Sequence, residues 1–208
     1  MKSVVLGENT VVPTKIICIG RNYVDHIHEL GNEITDDMVV FLKPNSAIST
    51  VLLAKHQGET LHYETELCFM FQDGRFSSVA VGLDLTKREL QTQLKAKGLP
   101  WERAKAFDGA ALFSPFVAID DVEAALYFSL SINDKQVQEG SIDLMIYKPQ
   151  CIMSELRTFI SLDEGDIVMT GTPKGVGMIP TNSVFNVKLY RGSQLSAEPL
   201  LEWQWLSV

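Results

Sequence analysis

Glu64 and Glu66 stand two apart in the stretch 61–71, where Leu61, Tyr63, Thr65, Leu67, Phe69 and Phe71 alternate with His62, Glu64, Glu66, Cys68 and Met70. On a strand the two carboxylates leave the same face, roughly 6–7 Å apart. Cys68, Met70 and Phe71 make the rest of that strand read as buried, and buried carboxylates need a partner. Oxygen-only ligands suit a hard cation such as Mg²⁺, Mn²⁺ or Ca²⁺ better than zinc. A solvated sheet face is the competing reading. Asp84 adds a third carboxylate at the end of the strand-like run 79–83. It could equally supply first-turn charge to the helix that Thr86-x-x-Glu89 opens as a capping box.

His26 and Glu29 are three apart on a helical segment, 22–30, so both side chains share one face. A carboxylate set against imidazole fixes its tautomer and raises its basicity, which makes a general base. His28 points elsewhere and reads as surface, while His56 and His62 read as structural or solvent-exposed. Lys105 lies in a rather apolar run, Trp101 to Phe107. If buried there, it needs a carboxylate or a bound anion. Residues 170–177, Thr-Gly-Thr-Pro-Lys-Gly-Val-Gly, form a tight loop whose amides could face an anion. The order Gly-x₄-Gly-Lys-Ser/Thr of a nucleotide-binding loop is absent.

The elements that would position these groups are mostly strands. Apolar residues 15–20 closed by Gly20 read as a buried strand, and Gly31 caps the helix 22–30. Leu126, Phe128, Leu130 and Ile132 alternate before Asn133-Asp134, a hairpin turn. Residues 149–161 read as a helix with Ile152, Leu156, Phe159 and Ile160 on one stripe, and strands follow at 166–169, 184–189 and near Leu200. Strands do not alternate regularly with helices, so a mixed or antiparallel β core is expected rather than a doubly wound fold.

The composition excludes several classes. At 46% hydrophobic and 21% charged residues, 208 residues suffice for a real core, which argues against disorder and coiled coil. Lys and Arg number 18 against 26 Asp and Glu, a net charge of −8, so nucleic acid and anionic membranes are poor partners. No run approaches a membrane span, and the polar residues 7–10 come too early for a signal-peptide core. Cys18, Cys68 and Cys151 are odd in number and widely spaced, which favours buried thiols in a reducing cytoplasm over disulfides.

Taken in order, Gly20-Arg21-Asn22-Tyr23 with Asp25-His26-x-x-Glu29, Phe41-Leu42-Lys43-Pro44 and His62-x-Glu64-x-Glu66-Leu67 resemble the fumarylacetoacetate hydrolase family. So do Leu83-Asp84-Leu85-Thr86, Pro100-Trp101-x₃-Lys105-x-Phe107 and Thr170-Gly171-Thr172-Pro173-x-Gly175-Val176-Gly177. The likeness runs from about residue 15 to the C-terminus. It is nearest to a short, single-domain acylpyruvase branch.

The resemblance implies an α+β, mainly β fold: a mixed β-sandwich roll with flanking helices, one catalytic domain over 1–208, usually a homodimer. It implies Mg²⁺ or Mn²⁺ held by Glu64, Glu66 and Asp84, and a catalytic pair His26 and Glu29 on a mobile lid. It further implies an active-site Lys105 and substrate contacts from Arg21, Lys43, Arg88, Gln91 and Thr172. The expected activity is hydrolytic C–C cleavage of small 2,4-dioxo acids (acylpyruvates) to pyruvate and a carboxylic acid. Oxaloacetate decarboxylation or keto–enol tautomerisation, and isomerisation or decarboxylation of hydroxy-diene-dioates, are alternatives. More distant ones are a non-catalytic 2-oxo acid binding protein and a structural β protein holding Ca²⁺. Residues 72–78 are shorter than the insertion usual in relatives, so the site rim or dimer packing is expected to differ.

Overall fold

The computed structural model describes residues 1–31, 33, 35–122, 124–192 and 198–208. Among them, two main sheets are built from β1 (Lys15–Gly20), β2 (Val39–Pro44), β3 (Thr65–Gln72), β4 (Arg75–Asp84), β5 (Ala111–Phe113), β6 (Val117–Ala118), β7 (Leu126–Ile132), β8 (Lys135–Ser141), β9 (Ile167–Met169), β10 (Val184–Arg191) and β11 (Leu201–Leu206). The larger sheet runs β5-β4-β3-β9-β1-β2, with β6 also on β4, and the smaller runs β8-β7-β10-β11. β9 lies parallel to β1 and antiparallel to β3, so the larger sheet is mixed as expected. The helices are few and short: α1 (Val24–Glu29), α2 (Arg88–Ala96), α3 (Glu102–Lys105) and α4 (Pro149–Leu156). None is long and apolar enough to cross a membrane.

The sheets pack face to face over one core. Ile17, Ile19, Leu67, Phe69, Val79 and Val81 of the larger sheet meet Phe128, Leu130, Phe185, Val187 and Leu189 of the smaller. The reverse face of the larger sheet has its own smaller core, including Ile16, Cys18, Cys68, Met70, Ala80 and Met169. Residues 65–71 of β3 are therefore buried on both faces. A carboxylate on this strand cannot reach solvent simply by facing outward.

The β3–β4 hairpin turns on Asp73-Gly74, both at positive φ (50° and 73°), the pattern of a two-residue type I′ turn. This turn is the short 72–78 segment, and it sits at the opposite end of the hairpin from Glu64 and Asp84. The expected change in the site rim is therefore not found there. Asn133 and Asp134 make the same kind of turn between β7 and β8, with φ of 47° and 66°.

Several local expectations shift. The strand at 61–71 breaks at Glu64: His62–Tyr63 pairs with Gly177–Met178, and β3 starts at Thr65. Thr86 does not cap α2; Lys87 is at the cap position with no side-chain cap bond, and the Thr86 hydroxyl turns to Lys105 instead. α1 is trimmed to Val24–Glu29, with Gly31 following at φ 61°. α4 ends at Leu156, which leaves Phe159 off the buried stripe and 59% exposed. Cys18 and Cys68 are buried, but Cys151 is exposed.

Candidate active site

Strand register brings the three carboxylates together. Glu66 lies opposite Gly82 on β4, and the Asp84 amide donates to the Glu64 carbonyl at 2.8 Å. With period-two alternation, Glu64, Glu66 and Asp84 emerge on one face at the open end of the hairpin. Their ligand atoms all lie within 4.8 Å of one another, and all three residues are buried. A side chain at Gly82 would collide with the Cys68 Sγ at 2.6 Å and the Leu112 carbonyl at 2.8 Å, so glycine lets the strands approach behind the cluster.

Cations are folded in against this charge. The Lys105 ammonium spends its three protons on Glu64 Oε2 (2.8 Å), Asp84 Oδ2 (2.7 Å) and the Thr86 hydroxyl (2.6 Å). Arg88 donates to Glu64 Oε1 and to Gln91 Oε1. Fully buried Lys43 donates to the Lys105 carbonyl and lies 2.8 Å from Asp84 Oδ1, out of line for a hydrogen bond, so that Oδ1 keeps no hydrogen-bond partner. Burial favours neutral Glu64, but Lys105, Arg88 and His26 outweigh it and hold the carboxyl well below its usual range. Burial, then the neighbouring charges of Asp84 and Glu64, push Glu66 well above that range. Burial disfavours the Lys105 ammonium, yet Asp84 and Glu64 raise its pKa.

Glu66 has no cationic side chain in contact among the described residues; its Oε2 accepts from the Gly171 amide at 2.7 Å. The loop 170–177 thus turns its amides on protein carboxylates rather than on a free anion, because Gly175 donates to Glu29 Oε1 at 2.9 Å. Gly171 has φ 94°, and a side chain there would meet Asn22 Cβ at 2.9 Å. The Thr172 hydroxyl donates to the Thr65 carbonyl (2.8 Å) and accepts from Gln138 (2.9 Å) while Thr172 lines the cleft.

Above the cluster, His26 Nδ1 meets Glu29 Oε2 at 3.0 Å. Glu29, itself anchored by the Gly175 amide, favours the tautomer in which Nδ1–H donates to it and Nε2 carries the free lone pair. His28 is exposed, as read from the helix. His56 is half-buried against Phe107, with ring centroids 4.8 Å apart, and His62 is half-buried too. Neither lines the cleft.

The cleft is narrow, with a cavity volume of about 40 Å³, and opens to solvent. It brings together His26, Arg21, Arg88, Gln91, Lys105, Thr172 and the three carboxylates; Lys43 lies behind the floor against Asp84, and Glu29 touches His26 from outside the cleft. The oxygen-only, buried donor set, with Glu66 unpaired by a cation and Asp84 Oδ1 free of hydrogen bonds, fits a hard divalent ion.

A family model described as fumarylacetoacetate (FAA) hydrolase C-terminal matches residues 15–199. The chain belongs to the fumarylacetoacetate hydrolase family. The rat mitochondrial oxaloacetate tautomerase FAHD1 (Rattus norvegicus) is 37% identical over 186 residues, covering 80% of this chain and 83% of the relative. The oxaloacetate tautomerase YcgM of Escherichia coli is 32% identical over 191 residues, covering 84% and 87%. Fumarylpyruvate hydrolase from Pseudomonas aeruginosa, crystallised with Mn²⁺ and pyruvate, superposes with a TM-score of 0.87 at 28% identity, covering 100% of this chain and 95% of that one.

Within this family fold, three contributors escaped the sequence reading. Buried Asn22 donates to the Thr170 and Tyr147 carbonyls at 2.8 and 3.0 Å and accepts from the Tyr147 amide, tying α1 to the 170–177 loop. Gln138 reaches from β8 to the Thr65 amide and to Thr172. Lys95 lines the cleft on the same helical face as Arg88 and Gln91, and that i, i+3, i+7 spacing was the available signal.

Proposed function

We propose that this chain catalyses keto–enol tautomerisation of oxaloacetate, with a divalent Mg²⁺ or Mn²⁺ at Glu64, Glu66 and Asp84. The observation that carries the reading is a base, His26, oriented by Glu29 over a buried carboxylate cluster, in a chain similar to oxaloacetate tautomerases. A divalent ion at the cluster supplies Lewis acidity to the carbonyl of a 2-oxo acid. The chain's own groups then move the proton. His26 Nε2 takes a proton from C3 of the keto form, and Glu29 stabilises the imidazolium that results. Lys105, its protons held by Glu64, Asp84 and Thr86, offsets through space the negative charge that develops on the C2 oxygen. Return of the proton from His26 to that oxygen gives the enol, and reversal gives the ketone; no water and no leaving group take part.

Acylpyruvate hydrolysis, the first expectation from the sequence, is the second reading, favoured by the likeness to fumarylpyruvate hydrolase. There His26 would deprotonate a water that attacks the distal carbonyl. The span of the family match supports one catalytic domain, and a homodimer belongs to the same reading. Light scattering checks the dimer.

A panel with Mg²⁺ and with Mn²⁺ separates the activities. Oxaloacetate enol absorbance follows tautomerisation, pyruvate formation follows decarboxylation, and loss of acetylpyruvate absorbance follows hydrolysis. Fast enol relaxation abolished by EDTA, with slow acetylpyruvate loss, is the expected result. Fast acetylpyruvate cleavage without enol relaxation overturns tautomerisation in favour of hydrolysis.

A further inference from the structure

The cations at the cleft fall into two groups. Lys43, Lys105 and Arg88 each sit against a carboxylate of the cluster. Arg21 and Lys95 contact none among the described residues. Arg21 follows β1 at φ 57°, a left-handed conformation uncommon outside glycine. Among the described residues its side chain makes one hydrogen bond, from Nη1 to the Glu33 carbonyl at 3.3 Å, and its buried Nε has no partner. Lys95 lies two turns along α2 from Arg88, about 10 Å by helical rise, on the face that lines the cleft. Its ammonium sits 4.9 Å from the Trp101 ring centroid, and Phe41 extends that aromatic wall with its centroid 5.8 Å from Trp101's. Burial, then the charges of Arg21 and Arg88, push the Lys95 ammonium down to about 8. Two cations at one cleft thus touch no carboxylate among the described residues; Arg21 holds a left-handed backbone, and Lys95 is crowded by like charge.

We propose that Arg21 and Lys95 form the subsite for the second carboxylate of a 2-oxo dicarboxylate, and that Lys95 makes the site prefer such dianions over monocarboxylate 2-oxo acids. This rests on the oxaloacetate reading above and names the contact that would select that substrate. The floor cations are already engaged with Glu64 and Asp84, so a distal carboxylate meets the free charges only at the Arg21–Lys95 end. A carboxylate accepted there satisfies the Arg21 Nε and relieves the repulsion on Lys95, a charge-assisted contact made next to an apolar wall.

The test compares Lys95→Gln and Lys95→Arg with the parent protein, all loaded with Mg²⁺. In the first arm, kcat/KM for oxaloacetate is divided by that for its 4-methyl ester, whose distal end is neutral. Loss of one charge-assisted contact is expected to cut this ratio about tenfold or more in Lys95→Gln, through KM rather than kcat, and Lys95→Arg is expected to restore most of it. The second arm needs no turnover: calorimetric Kd values for L-malate, which keeps both carboxylates, and L-lactate, which lacks the second. The parent is expected to prefer malate, and Lys95→Gln to lose that preference. If the parent binds malate preferentially but does not tautomerise oxaloacetate, the tautomerase reading fails while the subsite stands. Equal malate and lactate affinity in the parent, or an unchanged preference in Lys95→Gln, overturns the subsite.

Discussion

The floor and the mouth of the cleft are both built with cations, and they handle charge differently. On the floor, Lys43 and Lys105 are almost wholly buried and are spent on Asp84, Glu64, Thr86 and a backbone carbonyl. At the mouth, Arg21 and Lys95 are only partly covered, and neither forms an ion pair among the described residues. Burial explains the contrast. A charge fully removed from water costs several kcal/mol unless paired, so the floor must be neutralised when the chain folds. A half-solvated cation can wait for a ligand. The floor is therefore a folding element that doubles as a cage, whereas the mouth spends its binding capacity on whatever enters.

Substitutions can sharpen or break this division. The largest effect is expected where the two regions meet. His26→Gln removes the base but none of the floor charges, so kcat should fall about 10²–10⁴-fold with malate affinity retained. Loss of malate binding would instead make His26 part of the cage.

Lys105→Met strips a buried cation from two carboxylates. It should destabilise the metal-free protein by about 3–5 kcal/mol in chemical denaturation, with activity lost as well. A variant of parental stability would show that the floor is not neutralised by Lys105.

Glu66→Gln is expected to act in the opposite direction. Burial and the charges of Asp84 and Glu64 raise the folded carboxyl above its unfolded value. Its favourable contribution is thus present below the unfolded pKa and is lost as pH rises through the folded one. At neutral pH the metal-free variant should melt no lower than the parent, while the rise in Tm on adding Mg²⁺ or Mn²⁺ disappears. A variant that melts lower and still responds to metal would contradict both halves.

The smallest effect belongs to the mouth. Lys95 faces Arg21, Arg88, Lys105, Glu64 and His26 across the cleft, and its ammonium is lost as pH rises through about 8. KM for oxaloacetate should climb above that pH in the parent and stay level in Lys95→Arg. A level parental profile would detach Lys95 from substrate binding.

Much of the floor was legible in the sequence because strands obey a strict period. Glu64-x-Glu66 declared a shared face, and the apolar residues around it declared burial. The partner strand's register was not legible, so Asp84 kept two readings until β4 set it beside Glu64. The smaller sheet was easy for the same reason, since Leu126, Phe128 and Leu130 face one core and Asn133-Asp134 supplies the turn. Thr86-x-x-Glu89 misled because a capping box assumes a hydroxyl with nothing better to bind, and Lys105 provides something better. Phe159 misled because the helix stops early and drops it into solvent. Lys95 passed unnoticed because a lysine on a helix normally reads as solvated, and only Arg21, arriving from the end of another strand, gives it a different meaning.

The central claim is that His26, over the carboxylate cage, moves a proton at C3 of oxaloacetate. The most direct measurement is the relaxation of enol absorbance in stopped flow with Mg²⁺-loaded parent and His26→Gln. The parent should accelerate relaxation strongly, and His26→Gln should lose about 10²–10⁴ of that rate while still binding malate. Parental rates in metal-loaded His26→Gln would contradict the claim and move the proton transfer to another group.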